Sequence, residues 1–507
     1  MVTEHREVER KYEAGSAVLT LPPLGDLPLV ASVSDTGAET LEAEYYDTGD
    51  LRLIRAGITL RRRQGGDDEG WHLKLPAGQD TRRELQRPLE GTGSAVPAEL
   101  AGLVLAYSRR EPLRPVAHIT TVRRRRILRG TDGASLAEVV TDDVSSESLG
   151  RSTTITGWQE AEVELTGGGR ELLKAADKLL RRSGLRPART STKLERALAD
   201  RLPAPQPRPA LTGKSTAGQV VLGYLHEQSG LLKALDPLVR RGEPDSVHQM
   251  RLATRRLRST LRSFRAILRA SGTRHLAGEL HWLGRLLGDA RDSEVLSERL
   301  GEHLGQASPE LLMGPVAARL RIHFAPQEAA AGRTVAETLD SERYVALLDE
   351  LDRLLTDPPL TAAAGRPAAG VLPKAVARRY RRTRRRMRRA LAAPAGRGRD
   401  RALHSARKAA RRARYAAEVL RPVSGPQARR FGRKMKSIQS VLGDHQDAVI
   451  TRDRLRDLAV QAALAGENAF AYGLLYQREQ DEAARLQRQA QRAWQRASRA
   501  RYRRWLS

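Results

Sequence analysis

Between Leu202 and Ala210 every second residue is a proline: Pro203, Pro205, Pro207 and Pro209. Proline fixes φ and donates no backbone hydrogen bond, so this stretch can continue neither a helix nor a central strand. It predicts an extended, semi-stiff spacer. The residues on its two sides differ in period and in charge. Residues 1–200 hold 30 Lys and Arg against 31 Asp and Glu, whereas residues 201–507 hold 59 against 29. All of the net charge of +29 therefore lies after the spacer. With 507 residues the chain is too long for one ordinary core. We read a first domain over 1–201, a linker over 202–213 and a second domain over 214–507.

The chain contains no cysteine, which removes a disulfide framework, a zinc–thiolate site and a cysteine nucleophile. No apolar run reaches the length of a membrane span, and the N-terminus opens polar and charged rather than with a signal-peptide core. A cytoplasmic protein is expected. The basic half calls for a polyanion: nucleic acid, an anionic membrane surface or polyphosphate. Aromatic residues make up 4% of the chain, which argues against a stacking platform for single-stranded bases. No familiar DNA- or RNA-binding motif occurs, so nucleic acid is the weaker candidate.

Residues 1–200 read as mostly β. In Gly57–Gln64, Ile58 and Leu60 oppose Thr59, Arg61 and Arg63; in Trp71–Leu75, the odd apolar residues oppose His72 and Lys74. In Trp158–Leu165, Ala161, Val163 and Leu165 oppose Glu160, Glu162 and Glu164, with Trp158 on the carboxylate parity. Turn signals at Gln64–Asp68 and Thr131–Gly133 separate such segments. A half-exposed sheet would give the same alternation. It would not sort the charges by strand. Acids concentrate on the first and last strands, whereas Arg61, Arg63, Lys74, Arg82, Arg123 and Arg125 fall on the middle ones. A closed barrel with these charges inside would hold a large, highly charged ligand. Its apolar outer face would need covering helices, for which Glu171–Ser183 and Lys193–Arg201 are candidates. Glu7, Glu9 and Lys11 share one face of the first strand. Alone, that stretch reads as a solvated edge strand. Inside a barrel its carboxylates are hard oxygen ligands for a divalent cation on a phosphate, and its ammonium meets the remaining anionic charge.

The ordered set Glu7-x-Glu9-x-Lys11, Tyr46-Asp47-Thr48, Leu60-Arg61-Arg62-Arg63, Leu73-Lys74, Arg82-x-Glu84, Glu138 with Asp142, Glu160-x-Glu162-x-Glu164 and Thr192-Lys193 resembles the CYTH family, the triphosphate tunnel metalloenzymes. The family's last motif usually reads Ser-Lys, so Thr192 is a departure. The resemblance covers about residues 1–200 and implies a closed antiparallel β-barrel tunnel that hydrolyses triphosphate groups with a metal ion. It implies that Lys11, Arg61, Arg63, Lys74, Arg82, Arg125 and Lys193 hold phosphates, with Arg125 preferred over Arg123. It implies that Glu160, Glu162 and Glu164 serve a first Mg²⁺ or Mn²⁺ ion, with Asp142 nearby. The metal pair is either Glu160 with Glu162 or Glu162 with Glu164. Glu7 and Glu9 would hold a second ion or orient the attacking water beside Lys11.

After the spacer the pattern is helical and repeats itself. Val247–Arg258 is echoed by Leu403–Arg414 at an offset of 156, and Leu287-Gly288-Asp289-Ala290-Arg291-Asp292 by Leu442-Gly443-Asp444-His445-Gln446-Asp447 at 155. Two copies are expected, about 214–356 and 374–507, joined by the Pro/Gly/Ala stretch from about Asp357 to Pro373. In the first copy His248, Arg251, Arg255 and Arg258 share one helical face, with Arg262 a turn on; in the second, His404, Arg407, Arg411 and Arg414 do. Like charges one turn apart repel, so a self-repelling ladder written twice points to an anion that occupies it. His can add a donor near neutral pH. Arg378–Arg389 carries Arg nearly all round the helix, a density expected to leave it partly unstructured without its anion.

These His-x-x-Arg-x-x-x-Arg helices and Leu-Gly-x-x-(Arg/Gln)-Asp turns resemble the CHAD domain, the histidine-containing α-helical domain often found after CYTH. The resemblance covers roughly 214–507, and Gln446 departs from Arg291. It implies a pseudo-twofold pair of α-helical bundles that binds inorganic polyphosphate. The expectation for the whole is α+β plus all-α. It is a metal-dependent hydrolase of inorganic tripolyphosphate or polyphosphate with a basic binding domain, which could associate with polyphosphate granules. A non-catalytic scaffold, or an enzyme acting on thiamine triphosphate or ATP, is the competing expectation.

Overall fold

A computed structural model of the chain describes every residue except 1–2, 15–18, 79, 90–92, 151–152, 205–209 and 507. Most of the alternating-proline segment thus lies outside the described residues. The chain divides into two compact units, Met1–Pro207 and Arg208–Ser507.

The first unit is built on strands β1 (Thr3–Glu13), β2 (Ser32–Asp47), β3 (Thr59–Gln64), β4 (Gly70–Gly78), β5 (Thr81–Arg87), β6 (Arg114–Arg129), β7 (Ser135–Ser148), β8 (Thr154–Leu165) and the two-residue β9 (Arg186–Pro187). The first eight pair antiparallel in the order β5-β4-β3-β2-β6-β7-β8-β1, and β1 pairs back to β5, so the sheet closes into a barrel. Closure leaves no free edge and turns alternate side chains inward and outward. Outward, Tyr12, Leu128, Val139 and Val163 pack under Leu172, Leu173, Ala176 and Leu180 of a helix, Arg170–Arg182. Elsewhere on the outside, Leu60, Leu73 and Leu85 meet Leu100, Leu103 and Val104 of the segment containing Ala98–Leu103.

The second expected cover behaves differently. The short helix Lys193–Ala197, capped by the Thr192 hydroxyl, places Leu194, Ala197 and Leu198 against Ala43, Ile119, Val144 and Trp158. Those residues share strand parity with Arg123, Asp142 and Glu160, so they face inward. This helix therefore plugs one end of the barrel rather than shielding its outside. The long β6–β7–β8 strands leave inward apolar side chains there that need a lid.

The second unit has nine helices among the described residues. They are α1 (Ala217–Arg240), α2 (Ser246–Ser263), α3 (Arg274–Gly305), α4 (Val316–Asp340), α5 (Glu342–Thr356), α6 (Ala368–Ala392), α7 (Arg397–Val419), α8 (Arg421–Leu464, kinked at Gly425) and α9 (Phe470–Ala497). α1–α4 and α6–α9 repeat one order. The starts of α1 and α6 are joined by reciprocal backbone bonds, Ala217 N to Arg366 O at 2.9 Å and Ala368 N to Ser215 O at 3.0 Å, as a pseudo-twofold relation requires. The seam is shorter than expected, because α6 opens at Ala368 and contains Pro373. α6 also runs unbroken through the arginine block, contrary to the expected partial disorder. Tyr380, Thr383, Met387 and Ala390 give it a buried stripe at helical spacing.

Candidate active site and basic helical face

Strand register sets the barrel's interior chemistry. Arg123 of β6 lies opposite Asp142 of β7, Asp142 opposite Glu160 of β8, and Lys11 of β1 opposite Glu162 of β8. Directly opposed carboxylates repel, so Asp142 and Glu160 need cations between them. Lys193, projecting from the plug helix, supplies one. Its ammonium lies 2.8 Å from Asp142, 2.7 Å from Glu160 and 2.6 Å from Glu162. Lys11 contacts Glu162 as well, and Arg123 forks onto Asp142 at 2.9 and 2.7 Å. Burial works to raise Glu162, but Lys11, Lys193 and Arg123 outweigh it and hold the carboxyl well below its usual range. Trp158, on the carboxylate parity, donates its indole N–H to Glu160 at 2.7 Å.

A cavity of about 480 Å³ runs over these groups. Glu7, Glu9, Lys11, Arg61, Arg63, Lys74, Arg82, Arg123, Arg125, Glu138, Glu162, Glu164 and Lys193 all line it. Of the residues singled out in sequence, Asp142 and Glu160 sit just behind this wall, buried. Burial pushes Glu164 up to about 7. Burial and the neighbouring Arg61 and Arg123 push Arg63 down to about 9, still a cation at neutral pH. Arg125 reaches Glu39 at 2.9 Å and Glu138 at 3.7 Å, while Arg123 holds the deeper position against Asp142 and Glu162. A second cavity of about 610 Å³ shares Glu9, Lys11 and Arg82 with the first and continues past Ser191, beside β9.

Burial raises the Glu7 carboxyl to about 8, against the opposing pull of Lys74, whose ammonium lies 2.6 Å away. Glu84 sits next to it and is held low by Lys74, His72 and Arg61, which outweigh its burial. His72 bridges Glu84, at 2.8 Å from Nδ1, and the Asp68 carbonyl, at 2.8 Å from Nε2. The sequence places His72 on the face of Lys74 and Glu84 in the Arg82-x-Glu84 piece, but it gives neither a role. Tyr45, bound to Arg61 at 3.2 Å, shares the parity of that arginine. Asp67 and Asp68 could not be found so: they sit in the β3–β4 turn, where Asp68 contacts Arg63 and Asp67 lies 3.8 Å from Arg125.

The donors fit a hard divalent ion. Asp142, Glu160 and Glu162 offer oxygens within 4.8 Å of one another, all buried. Oε2 of Glu7 is buried without a hydrogen-bond partner, whereas Oε1 of Glu160 faces the Lys193 ammonium at 2.7 Å. No nitrogen or sulfur ligand competes among these groups.

In the helical unit the two predicted ladders come together. α2 packs on α7, and α6 packs on α7. Burial first, then Arg411 and Arg251, push Arg255 down to about 9. Arg411 is lowered by burial, with Arg407, Arg412 and Arg251 adding to it. The two Leu-Gly segments expected as turns instead lie inside helices, Leu287–Asp292 within α3 and Leu442–Asp447 within α8, and their glycines have a shared reason. A Cβ on Gly288 would come within 3.1 Å of the Arg251 guanidinium, and one on Gly443 within 3.2 Å of the Arg407 guanidinium. The aspartates that end the same segments face these arginines, Asp292 at 3.0 Å from Arg251 and Asp447 at 3.9 Å from Arg407. Nδ1 of both His248 and His404 is buried without a partner. Burial and the adjacent cations lower both rings, His404 to about 4, so His404 is neutral at pH 7 without a ligand. Arg258 and Arg262 lie on the same face, Arg258 beside Arg262 and Arg411. Arg414 departs from the ladder: it pairs with the buried Glu418 at 3.3 Å, which also meets Arg256 at 3.4 Å and Tyr224 at 3.2 Å. Arg291 pairs within its own helix with Glu294 at 2.7 Å.

No helix among the described residues is long and apolar enough to cross a membrane. Residues 5–196 match the CYTH domain and residues 223–456 match the CHAD domain. An uncharacterized protein of Mycobacterium tuberculosis strain H37Rv, Rv2226, is 38% identical over 98% of this chain and 97% of its own. Among solved structures, PptA from Streptomyces chartreusis is 24% identical with a TM-score of 0.48, over 55% of this chain and all of that one. The CHAD domain from the plant Ricinus communis is also 24% identical, with a TM-score of 0.42 over 60% of this chain and 96% of that one. Both domains are matched in order and the relative aligns along nearly the whole length, so the chain belongs to the family of proteins that join a CYTH domain to a CHAD domain.

Proposed function

We propose that the barrel hydrolyses inorganic tripolyphosphate or polyphosphate with Mg²⁺ or Mn²⁺, and that the helical unit binds polyphosphate. The observation that carries the reading is the interior itself: Arg61, Arg63, Lys74, Arg82 and Arg125 line one cavity together with Glu162, behind which Asp142 and Glu160 complete a buried carboxylate cluster. Phosphoryl transfer needs little covalent help from a protein, and positioning with charge neutralisation is most of its catalysis. Arg61, Arg63, Lys74, Arg82, Arg125 and Lys11 would hold non-bridging phosphate oxygens, with Arg123 and Lys193 at the deep end. Asp142, Glu160 and Glu162 would hold the metal ion, with Glu164 at the cavity wall, and the ion would neutralise charge on the phosphates. Glu7 and Glu9 would hold a second ion or accept a hydrogen bond from the attacking water. Tyr45 is the one Phe, Tyr or Trp lining this cavity among the described residues, and its hydroxyl is tied to Arg61. With that ring tied up, only the His5 imidazole is left at this cavity among the described residues as a surface for a base, which favours an inorganic phosphate over a nucleotide. On this reading the protein works in the cytoplasm, where polyphosphate granules are a natural partner.

The test is phosphate release by the full chain from tripolyphosphate, long polyphosphate, thiamine triphosphate and ATP, each with Mg²⁺ and with Mn²⁺. Release should be fastest from an inorganic substrate and abolished by chelation. No release from any member would leave a binding protein. A preference for ATP would move the assignment to a nucleotide enzyme.

The histidines give a pH signature. A bound polyanion favours the imidazolium form, whereas the free protein holds His404 near 4. Polyphosphate affinity should therefore rise as pH falls from about 7 toward about 5. His404→Gln should flatten that rise, measured by calorimetric titration at constant ionic strength. An equally steep rise in the variant would place the proton elsewhere.

A further inference from the structure

The two helical repeats are alike in their ladders but not in the helices that open them. α1 carries two cations, and both are ion-paired: Lys233 with Asp352 at 2.6 Å, and Arg240 with Asp236 at 2.6 Å. α6 carries Arg378, Arg379, Arg381, Arg382, Arg384, Arg385, Arg386, Arg388 and Arg389. None of these nine has an acidic partner among the described residues. The block spans about 16 Å along the helix axis. It is attached to the ladders. Arg379 donates Nε to Ser263 Oγ at 3.0 Å and a second N–H to the Arg262 carbonyl, fixing α6 to the end of α2. α6 also packs along α7. At that junction Arg412 of α7 lies in the fields of Arg262, Arg382, Arg258 and Arg386, and burial lowers it further. Five cations from three helices thus crowd one place, and none of them is ion-paired with a carboxylate among the described residues.

We propose that the polyanion track does not stop at the two ladders but leaves the pseudo-twofold axis on one side. It passes from Arg258 and Arg262 over Arg412 onto Arg382 and Arg386, and it takes the continuing length of an inorganic polyphosphate chain. The inference rests on polyphosphate being the ligand of the helical unit. A short chain fills the ladder crossing, where Arg255 and Arg411 meet. Only a longer chain reaches the α6 extension, so this one-sided site is a chain-length sensor. The opposite side, where α1 presents neutralised cations, offers no equivalent path.

The test uses the full chain carrying Arg382→Gln, Arg386→Gln and Arg412→Gln, with binding measured by competition against a labelled polyphosphate. Wild type and variant should bind chains of about 10 phosphates alike, whereas for chains of about 100 the variant should lose about tenfold or more and show a shallower salt dependence by about two units of slope. Equal losses for both lengths would overturn the extension and leave only general charge. So would no loss for either, or a loss seen with duplex DNA but not with polyphosphate. Failure of the wild type to bind either chain would instead overturn the reading on which the extension rests. The buried stripe Tyr380, Thr383, Met387 and Ala390 is untouched, so the variant should unfold no earlier than the wild type.

Discussion

Replacing Glu7 and Glu9 together by Gln should reduce phosphate release from tripolyphosphate by about 10³-fold or more, with the fold intact. Gln keeps shape and hydrogen bonding but cannot bring negative charge to a divalent ion or to a water losing its proton. Stability should move the other way. Burial raises the Glu7 carboxyl to about 8, above its ordinary 4.5. Between those values the native state binds more protons than the unfolded one, so stability falls as pH rises through that window. E7Q should remove this slope, read from melting temperatures with chelator present. Glu162→Gln is the contrasting variant. Glu162 touches Lys11, Lys193 and Arg123, and losing its charge strands buried cations at a cost of about 3–5 kcal/mol. Both variants should be inactive, but only the second should melt markedly earlier. Full activity in E7Q/E9Q would remove these two residues from the site.

The barrel was legible because period-two alternation and charge sorting are local signals that closure makes consistent. Glu7, Lys74, Arg82 and Glu162 fall into one cavity by parity alone. Two things were not legible. The plug helix has an apolar face like any cover, and its place inside the barrel end depends on strand length and tilt, which alternation does not encode. The β3–β4 turn acids have no period; Asp67 and Asp68 reach Arg125 and Arg63 only because the turn folds back over the mouth. In the helical unit the repeat exposed the ladders, since chance does not copy a self-repelling pattern. It could not show that Arg414 is matched by Glu418, an i,i+4 pair that the echo between copies obscures. Nor could the density of arginine in α6 reveal the buried stripe of Tyr380, Thr383, Met387 and Ala390 that runs through it.

Arg255→Ala with Arg411→Ala should weaken polyphosphate binding by about 10²-fold or more, because each charge-assisted contact is worth about 1.5–3 kcal/mol. The same variant should melt later than the wild type in the absence of ligand. Burial and mutual repulsion hold Arg255 near 9 against the weaker pull of Asp292, and neither Arg255 nor Arg411 is ion-paired with a carboxylate among the described residues, so removing both relieves the free protein. A purely structural arginine pair would do the opposite on both counts. The sign of the melting change therefore separates a site kept under electrostatic strain for a ligand from a solvated face whose charges matter to neither property. The salt dependence of log K should flatten by about 1.4–1.8 units, the share of two phosphate contacts. Duplex DNA at equal phosphate concentration and matched salt is the control. If it displaces polyphosphate from the wild type, the ladders read charge alone, and the assignment of polyphosphate as the ligand of this unit is wrong.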